Sequence, residues 1–425
     1  MQTTRTICVI GLGYVGLPLA VLFSRKYRVI GYDRNETRVK KLLAGHDDTL
    51  ELEDDTLLQA LNGGLHLTSS INEIKSCDFY VVAVPTPVDT DNRPDLSPLI
   101  KVSTMLGSVL SKGDVIIYES TVYPGVTEEV CIPILEKESG LKYNLDFFAG
   151  YSPERINPGD KVHTVATIRK ITSGSTPEIA QLVDDVYNSV LENGTYKAAS
   201  IRVAEAAKVI ENVQRDVNIA LINELAKIFN AMGIDTNSVI EAASTKWNFI
   251  KMKPGLVGGH CISVDPYYLI EKAQVYGVYP RIMTEARRIN DGMGSYVVGQ
   301  VLRLMNMCGV CIKDAEILIC GFAFKENTPD IRNTKVVDIC AALKPYTDKI
   351  TIYDPWVDAG YVQKSYGLSV DCLEDVSWKE RFKAVILAVA HTEFLCMDLR
   401  SFLQPDGILY DVKGVLDMKV IDGRL

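Results

Sequence analysis

Short, unbroken apolar runs alternate with amphipathic stretches over the first 200 residues. Thr6–Ile10 (TICVI) has the β-branched character of a strand, Leu17–Arg25 reads as a helix, and Arg28–Tyr32 as a second strand. Further apolar runs follow at Phe79–Val84 (FYVVAV), Val115–Glu119 and Phe147–Gly150. Continuous runs, not alternating ones, mark strands covered on both faces, as in a parallel sheet. From Val203 to Met232 the spacing becomes helical, with no Pro or Gly until Gly233. About thirty residues at ~1.5 Å each give a helix of about 45 Å. Helical spacing continues to residue 306, and strand-like runs return at Glu316–Cys320, Ile350–Tyr353, Ala384–Val389 and Ile408–Asp411.

The first strand runs into Gly11-Leu12-Gly13-Tyr14-Val15-Gly16, then a helix, then a strand that ends at Asp33. In G-x-G-x-x-G between strand and helix, the first glycine makes the turn, the second admits a pyrophosphate, and the third lets helix and strand pack. The helix N-terminus supplies N–H donors to the phosphate. An acid at Asp33 binds a ribose 2′-hydroxyl and repels a 2′-phosphate, which points to NAD; Arg34 and Arg38 leave NADP open. The expected fold is α/β, with two Rossmann-like doubly wound parallel-sheet domains joined by a long central helix and a helical middle region. The expected division is residues 1–200, 201–310 and 311–425.

Strand ends in such sheets line the ligand crevice. Thr86 (in Pro85-Thr86-Pro87), Ser120 and Thr121 sit at two of them and are candidate cofactor contacts, or plain turn residues. Ser152–Gly159 (SPERINPG) is a rigid loop with one acid, Glu154, and one base, Arg155. The later strands form a second unit without the glycine fingerprint, so it is expected to bind a different nucleotide. Lys325, Arg332 and Lys413 at its strand ends are the cations an anionic ligand requires.

Lys253–Tyr267 (KPGLVGGHCISVDPY) concentrates chemistry in one stretch. Gly258 and Gly259 permit close approach of a ligand, and Cys261 follows as a candidate nucleophile with Asp265 four residues on. The alternative is that Cys261 is a small buried hydrophobe. Lys208 and Asn212, four apart, share one face of the long helix, either as its solvated edge or as donors aimed at the cysteine loop.

Composition narrows the partners. The chain has 425 residues, 47% hydrophobic and 23% charged, with a formal net charge of −9. This argues against a nucleic-acid or membrane-surface binder. The opening apolar run is too short and too Gly-broken for a signal peptide or a membrane span. Ten cysteines, scattered apart from Cys308 and Cys311, read as reduced thiols of a cytoplasmic protein. A zinc site needs about four ligands, which Cys308-x-x-Cys311 lacks, so no metal is expected.

Taken together, GLGYVGLP, PTP, ESTVYPG, SPERINPG, AAKVIENVQRDVNIALINEL, GGHCISVDPYY and FKENTPDIRNT resemble the nucleotide-sugar 6-dehydrogenases, the UDP-glucose and UDP-N-acetylhexosamine dehydrogenase family. The resemblance runs from Ile7 to Leu416. It implies four-electron oxidation of a sugar C6 alcohol by two NAD⁺, through a thiohemiacetal and a thioester on Cys261. Lys208 and Asn212 would stabilise the oxyanion, Asp265 and Thr121 would hold the water, and Glu154 would act in thioester hydrolysis. Arg155, Lys253, Gly258, Lys325 and Lys413 would contact the UDP-sugar, together with Glu154, Lys208 and Asn212. Arg38, Arg332, Thr86, Ser120 and the glycine loop would contact NAD. His260 is a weaker candidate base, because neighbours in an extended loop point apart. SPERINPG resembles the branch acting on UDP-N-acetylglucosamine or UDP-N-acetylgalactosamine, which serves bacterial capsule, Vi-type antigen or O-antigen. UDP-glucose and UDP-N-acetylmannosamine remain alternatives, as do a two-electron hydroxyacid-type dehydrogenase and a non-enzymatic NAD-binding scaffold. The 203–232 helix is expected to form at least a homodimer.

Overall fold

The computed structural model describes residues 5–49, 51–89, 92–155, 164–313, 315–371 and 380–425. The chain forms two compact units, Met1–Glu211 with Tyr267–Gly277, and Asn212–Pro266 with Val278–Leu425. The helix Ile201–Met232 belongs partly to each and spans 32 residues, about 48 Å.

The first unit is built on β1 (Thr6–Ile10), β2 (Arg28–Tyr32), β3 (His66–Thr68), β4 (Phe79–Val82), β5 (Val115–Tyr118) and β6 (Phe148–Tyr151). They form a six-stranded sheet in the order β3-β2-β1-β4-β5-β6, parallel throughout. This is the doubly wound dinucleotide-binding order, whose direction reverses between β1 and β4. Alternate residues feed two separate cores. Ile7, Val9, Phe79 and Val81 pack on one face, and Cys8, Ile10, Tyr80 and Val82 on the other. Both faces are apolar, which is why the sequence shows unbroken runs. The apolar run FYVVAV outlasts its strand: Val82 ends β4, and Ala83 N still donates to Ile10 O at 2.8 Å before the chain turns away. A separate parallel pair, β7 (Lys170–Thr172) and β8 (Thr195–Lys197), has no counterpart in the sequence expectation.

The second unit carries β9 (Ile317–Cys320), β10 (Ile350–Tyr353), β11 (Phe382–Leu387), β12 (Leu403–Asp411) and β13 (Gly423–Arg424). All pair in parallel in the order β10-β9-β11-β12-β13. Numbered within the unit this is 2-1-3-4-5, a different doubly wound order from the first sheet, with its reversal between β9 and β11. Its two faces are again apolar, with Ile317, Ile319, Ala384 and Ile386 against one core and Leu318, Cys320, Val385 and Leu387 against the other. The expected α/β class with two parallel sheets and a long helix is the fold observed. The helical middle closes with Arg281–Asp291 and Met293–Met307.

Polar groups, not only apolar ones, tie the helices of this unit together. Arg287 Nη1 lies 2.6 Å from Asp216 on the long helix and Nη2 lies 2.6 Å from Asp291, with the Arg287 and Asp216 side chains 3% and 0% exposed. Asn290 donates to the same Asp216 carboxylate at 2.7 Å, and Lys335 reaches Asp291 at 2.8 Å. Removing one partner leaves a buried charge uncompensated. Arg287→Met is therefore expected to lower unfolding free energy by about 3–5 kcal/mol, read as a displaced urea midpoint. An unchanged midpoint would show that Asp216 finds full compensation from Asn290 alone.

Candidate active site

The glycine turn of the first unit is shaped by contacts at its first and third glycines. Gly11 has φ +90°, and a Cβ there would lie 2.7 Å from Ala83 O; a Cβ on Gly16 would lie 1.8 Å from Gly11 O. A Cβ on Gly13 would meet no protein atom within 4 Å, so the protein itself does not require glycine at that position. The following helix, Gly16–Ser24, has no side-chain cap and no acidic residue in its first turn. Its positive end therefore suits the pyrophosphate of a dinucleotide. Asp33 accepts from Leu12 N and Asn35 N, both at 2.9 Å. Arg38 braces the turn from outside: it donates to Leu12 O at 3.0 and 3.1 Å and meets Asp47 at 2.6 Å. Burial would raise the Asp47 carboxyl, but Thr49 and Arg38 outweigh it and hold it below its usual range. The guanidinium that the sequence left open to a 2′-phosphate is engaged in this brace.

At the mouth of the same sheet the candidate hydroxyls cross-link neighbouring loops. Thr86 Oγ1 donates to Thr121 O at 2.7 Å, and Ser120 Oγ donates to Val84 O at 2.6 Å. Glu205, fully buried on the long helix, accepts from Gly125 N at 2.5 Å and Thr127 N at 2.9 Å. That carboxylate fixes the ESTVYPG loop from which Thr121 projects. After β6, Glu154 is 5% exposed and takes Arg155 N at 2.6 Å and Lys170 Nζ at 2.9 Å. Arg155 turns its guanidinium to Glu211 and to Lys208 O, the latter at 3.4 Å. The remainder of the SPERINPG loop, 156–159, lies outside the described residues.

In the second unit, the cysteine loop is clamped by Asn223. Its amide donates to Gly255 O at 3.0 Å and accepts from Gly255 N at 2.8 Å, reading both main-chain groups of one residue. Gly258 has no room for a side chain, since a Cβ would sit 2.7 Å from Asn333 O. Gly259 has φ +86°, and a Cβ there would lie 2.9 Å from the Phe324 ring. Cys261 is half-buried, and its carbonyl accepts Val264 N at 3.0 Å and Asp265 N at 2.8 Å, the first turn of the helix Asp265–Val275. Asp265, 2% exposed, is hydrogen-bonded by Asn212 Nδ2, and Arg215 donates to Asn212 Oδ1 at 3.0 Å. Lys208 and Asn212 are 6% and 0% exposed, so the alternative of a solvated helix edge does not hold. Lys253 is exposed.

Against the strand ends of the second sheet lies a small cleft, open to solvent, lined by Leu256, Gly258, Phe324, Lys335, Val389 and Lys413. Asp411 accepts the main-chain N–H groups of residues 413 to 416 at 2.7–3.0 Å, which sets the turn bearing Lys413. Lys413 Nζ is 3.5 Å from Glu326, and Lys325 Nζ stands 5.7 Å from the Phe324 ring centroid. Arg332 grips Asp330 at 2.9 and 3.0 Å; burial would raise the Asp330 carboxyl, and the arginine more than reverses that. His260 lies edge-on to Phe324 and 3.9 Å from Asp330. Among the described residues no group of three or more His, Cys, Asp or Glu could hold a metal ion. No helix of the described residues is long and apolar enough to cross a membrane.

Family models match the chain in three consecutive parts: the NAD binding domain of the UDP-glucose/GDP-mannose dehydrogenase family at 5–191, its central domain at 202–292 and its UDP binding domain at 318–418. The chain belongs to the UDP-glucose/GDP-mannose dehydrogenase family. It is an NAD-dependent nucleotide-sugar dehydrogenase, with the glycine turn in the NAD-binding part and the Lys413 cleft bordered by the UDP-binding part. It is similar to the UDP-N-acetyl-D-glucosamine 6-dehydrogenase of Pseudomonas aeruginosa, with 53% identity over 422 residues covering 99% of each chain. The same-named protein of Salmonella typhi is also 53% identical, covering 99% of this chain and 98% of its own. In structure, the UDP-D-ManNAc dehydrogenase of Pyrococcus horikoshii superposes with a TM-score of 0.90 at 29% identity, covering 99% of this chain and 98% of that one.

Sequence reasoning missed several residues of this dehydrogenase's site region: Glu119 and Lys170 beside Glu154, Glu205 beneath the Thr121 loop, and Asn223 beneath the cysteine loop. For Glu119, Glu205 and Asn223 the available signal was a charged or amide residue in or at the end of an otherwise apolar run; Lys170, in the polar stretch 167–173 (TIRKITS), carried none. Gly258→Ala tests how tightly the loop is held. The carbonyl of Asn333 forbids the methyl, so the loop must shift, and a shift near 1 Å costs about 10²-fold in rate. Turnover should fall by that order while the far-ultraviolet circular dichroism stays unchanged; full activity would mean the loop yields without consequence.

Proposed function

We propose that this enzyme oxidises the C6 hydroxyl of a UDP-N-acetylhexosamine to the carboxylate, with UDP-N-acetylglucosamine as substrate. The observation that carries this is 53% identity over 422 residues to two UDP-N-acetyl-D-glucosamine 6-dehydrogenases. UDP-N-acetylgalactosamine is the next substrate in this reading. The division of labour is 1–200 for the cofactor, 201–310 for the long helix and helical middle, and 311–425 for the UDP moiety. The product would serve surface polysaccharide synthesis in the cytoplasm.

Bound NAD⁺ supplies the hydride acceptor for both oxidations. The glycine turn from Gly11 to Gly16 would hold its pyrophosphate and Asp33 its ribose, with Thr86, Ser120, Thr121 and Arg332 as further contacts. Cys261 thiolate adds to the C6 aldehyde to give a thiohemiacetal, whose oxidation leaves a thioester. Lys208 and Asn212 donate to the oxyanion at C6. Asn212 also holds Asp265, which orients the water. In hydrolysis Glu154 takes a proton from water as the new C–O bond forms; the C–S bond then breaks and its electron pair leaves on Cys261. Arg155, Lys253, Gly258, Lys325 and Lys413 would hold the nucleotide sugar.

The long helix also offers a surface for a second copy. Val203, Ile210, Leu221, Ile228 and Met232 are each about half exposed. Their spacing puts them within about 40° of one another around the helix. The reading is a homodimer closed along this stripe. Leu221→Glu with Ile228→Glu should halve the mass seen by light scattering; a wild type already monomeric at assay concentration would remove the dimer.

The reaction itself is tested by counting NADH per UDP-N-acetylglucosamine consumed, for wild type and Cys261→Ser. About two NADH per sugar is expected with wild type, because covalent capture retains the aldehyde for the second oxidation, and the variant should stall. One NADH per sugar with an unimpaired variant would mean a two-electron alcohol dehydrogenase. Turnover of only the galacto- or manno-configured sugar would move the substrate and leave the chemistry.

A further inference from the structure

A buried lysine in the first unit joins two carboxylates and has no part in the chemistry above. Lys170 Nζ, on β7, lies 2.6 Å from Glu119 Oε2 at the end of β5, 2.9 Å from Glu154 Oε2 after β6, and 3.1 Å from Pro153 O. The side chains of Lys170 and Glu119 are 0% exposed and that of Glu154 is 4% exposed. Tyr187, on the helix Pro177–Asn188, donates its hydroxyl to Glu119 Oε1 and sets its ring 5.5 Å from the ammonium. Of the other charged groups nearby, Arg155 turns its guanidinium to Glu211, and Asp184 accepts from Thr172 at 2.6 Å.

Such a cluster is a poor device for stability, since apolar groups of the same volume serve a core as well or better. It also places two acids around one base. Burial, with the charge of Glu154 added, pushes the Glu119 carboxyl up against the pull of Lys170 and Tyr187. Burial would lower Lys170, but the two carboxylates outweigh it and raise it instead. The lysine therefore stays charged.

We propose that Lys170 and Glu119 are positioning residues for Glu154: the ammonium pins Glu154 Oε2 and sets a positive charge beside it, and Glu119 moderates that pull by sharing the same ammonium. The proposal deepens the thioester reading and rests on it, because Glu154 must be ionised to take a proton from the hydrolytic water.

The signs follow from charge. Removing the cation disfavours ionised Glu154, so in Lys170→Met the acidic limb of the kcat–pH profile should move to higher pH by about 1–3 units. Removing the second carboxylate does the opposite, so Glu119→Gln should move it to lower pH. Glu119→Gln combined with Lys170→Met deletes one charge of each sign and should bring the limb back toward wild type, which a merely structural role would not do. The profiles are measured on the purified full-length enzyme with UDP-N-acetylglucosamine and NAD⁺ from pH 5 to 10. Intact mass after acid quench reads the acyl adduct on Cys261, which should accumulate in Lys170→Met at pH 7. Unmoved limbs in both single variants, or a double variant displaced as far as Lys170→Met, overturn the proposal while wild type still yields two NADH per sugar. A wild type that yields one NADH and no adduct overturns the thioester reading and this proposal with it.

Discussion

Carboxylates that accept main-chain N–H groups, most of them buried, hold the loops of this enzyme. A loop at a strand end has left the ladder, so its N–H groups need other partners. Asp33 takes Leu12 N, Glu205 takes Gly125 N and Thr127 N, Asp354 takes Phe322 N and Ala323 N, and Asp411 takes four successive N–H groups. Glu205, Asp354 and Asp411 are fully buried. Charge-assisted bonds of this kind are about twice as strong as neutral ones. They let short loops rich in glycine and proline carry chemistry without collapsing onto the sheet.

The two sheets use the same position differently. An acid follows the second strand of each unit, Asp33 after β2 and Asp354 after β10. Asp33 gives one oxygen to Leu12 N and the other to Asn35 N. Asp354 is enclosed: His391, also fully buried, donates to it at 3.0 Å and accepts Asn327 N at 2.9 Å. Burial would raise the Asp354 carboxyl, but His391 and the Phe322 and Ala323 N–H groups hold it below its usual range. The second acid is thus built into the loop bearing Lys325, whereas the first stands beside a glycine turn that fits a dinucleotide. One architecture serves two nucleotide sites because its strand-end loops differ.

In the second unit the cysteine loop depends on the long helix. Asn223 holds Gly255, Asn212 holds Asp265, and Asp216 anchors Arg287 and Asn290. These residues occupy one stretch of helix and are fully buried. Such groups are costly unless satisfied, and here they hold the main chain at Gly255 before Cys261 and the Asp265 side chain after it.

Much of this was present in local pattern. The parallel strands β1, β2, β5 and β10, the long helix and the glycine fingerprint were legible because each is a period or spacing within about thirty residues. β3, β7 and β8 were not, since three residues carry no period. Strand order was not legible either: both halves show alternating strands and helices, and only tertiary packing chose 3-2-1-4-5-6 for one sheet and 2-1-3-4-5 for the other. The roles of charged residues divided the same way. The sequence by itself marked Glu154, Lys208 and Asn212 as out of place and left Arg38 open to a 2′-phosphate. Only the tertiary structure decided that Arg38 braces Leu12, that Lys208 and Asn212 are buried, and that Lys170, sixteen residues beyond Glu154, closes on it and on Glu119. The physical reason is that a side chain's charge is local, but the partner that makes burying it tolerable is brought by the fold from elsewhere in the chain.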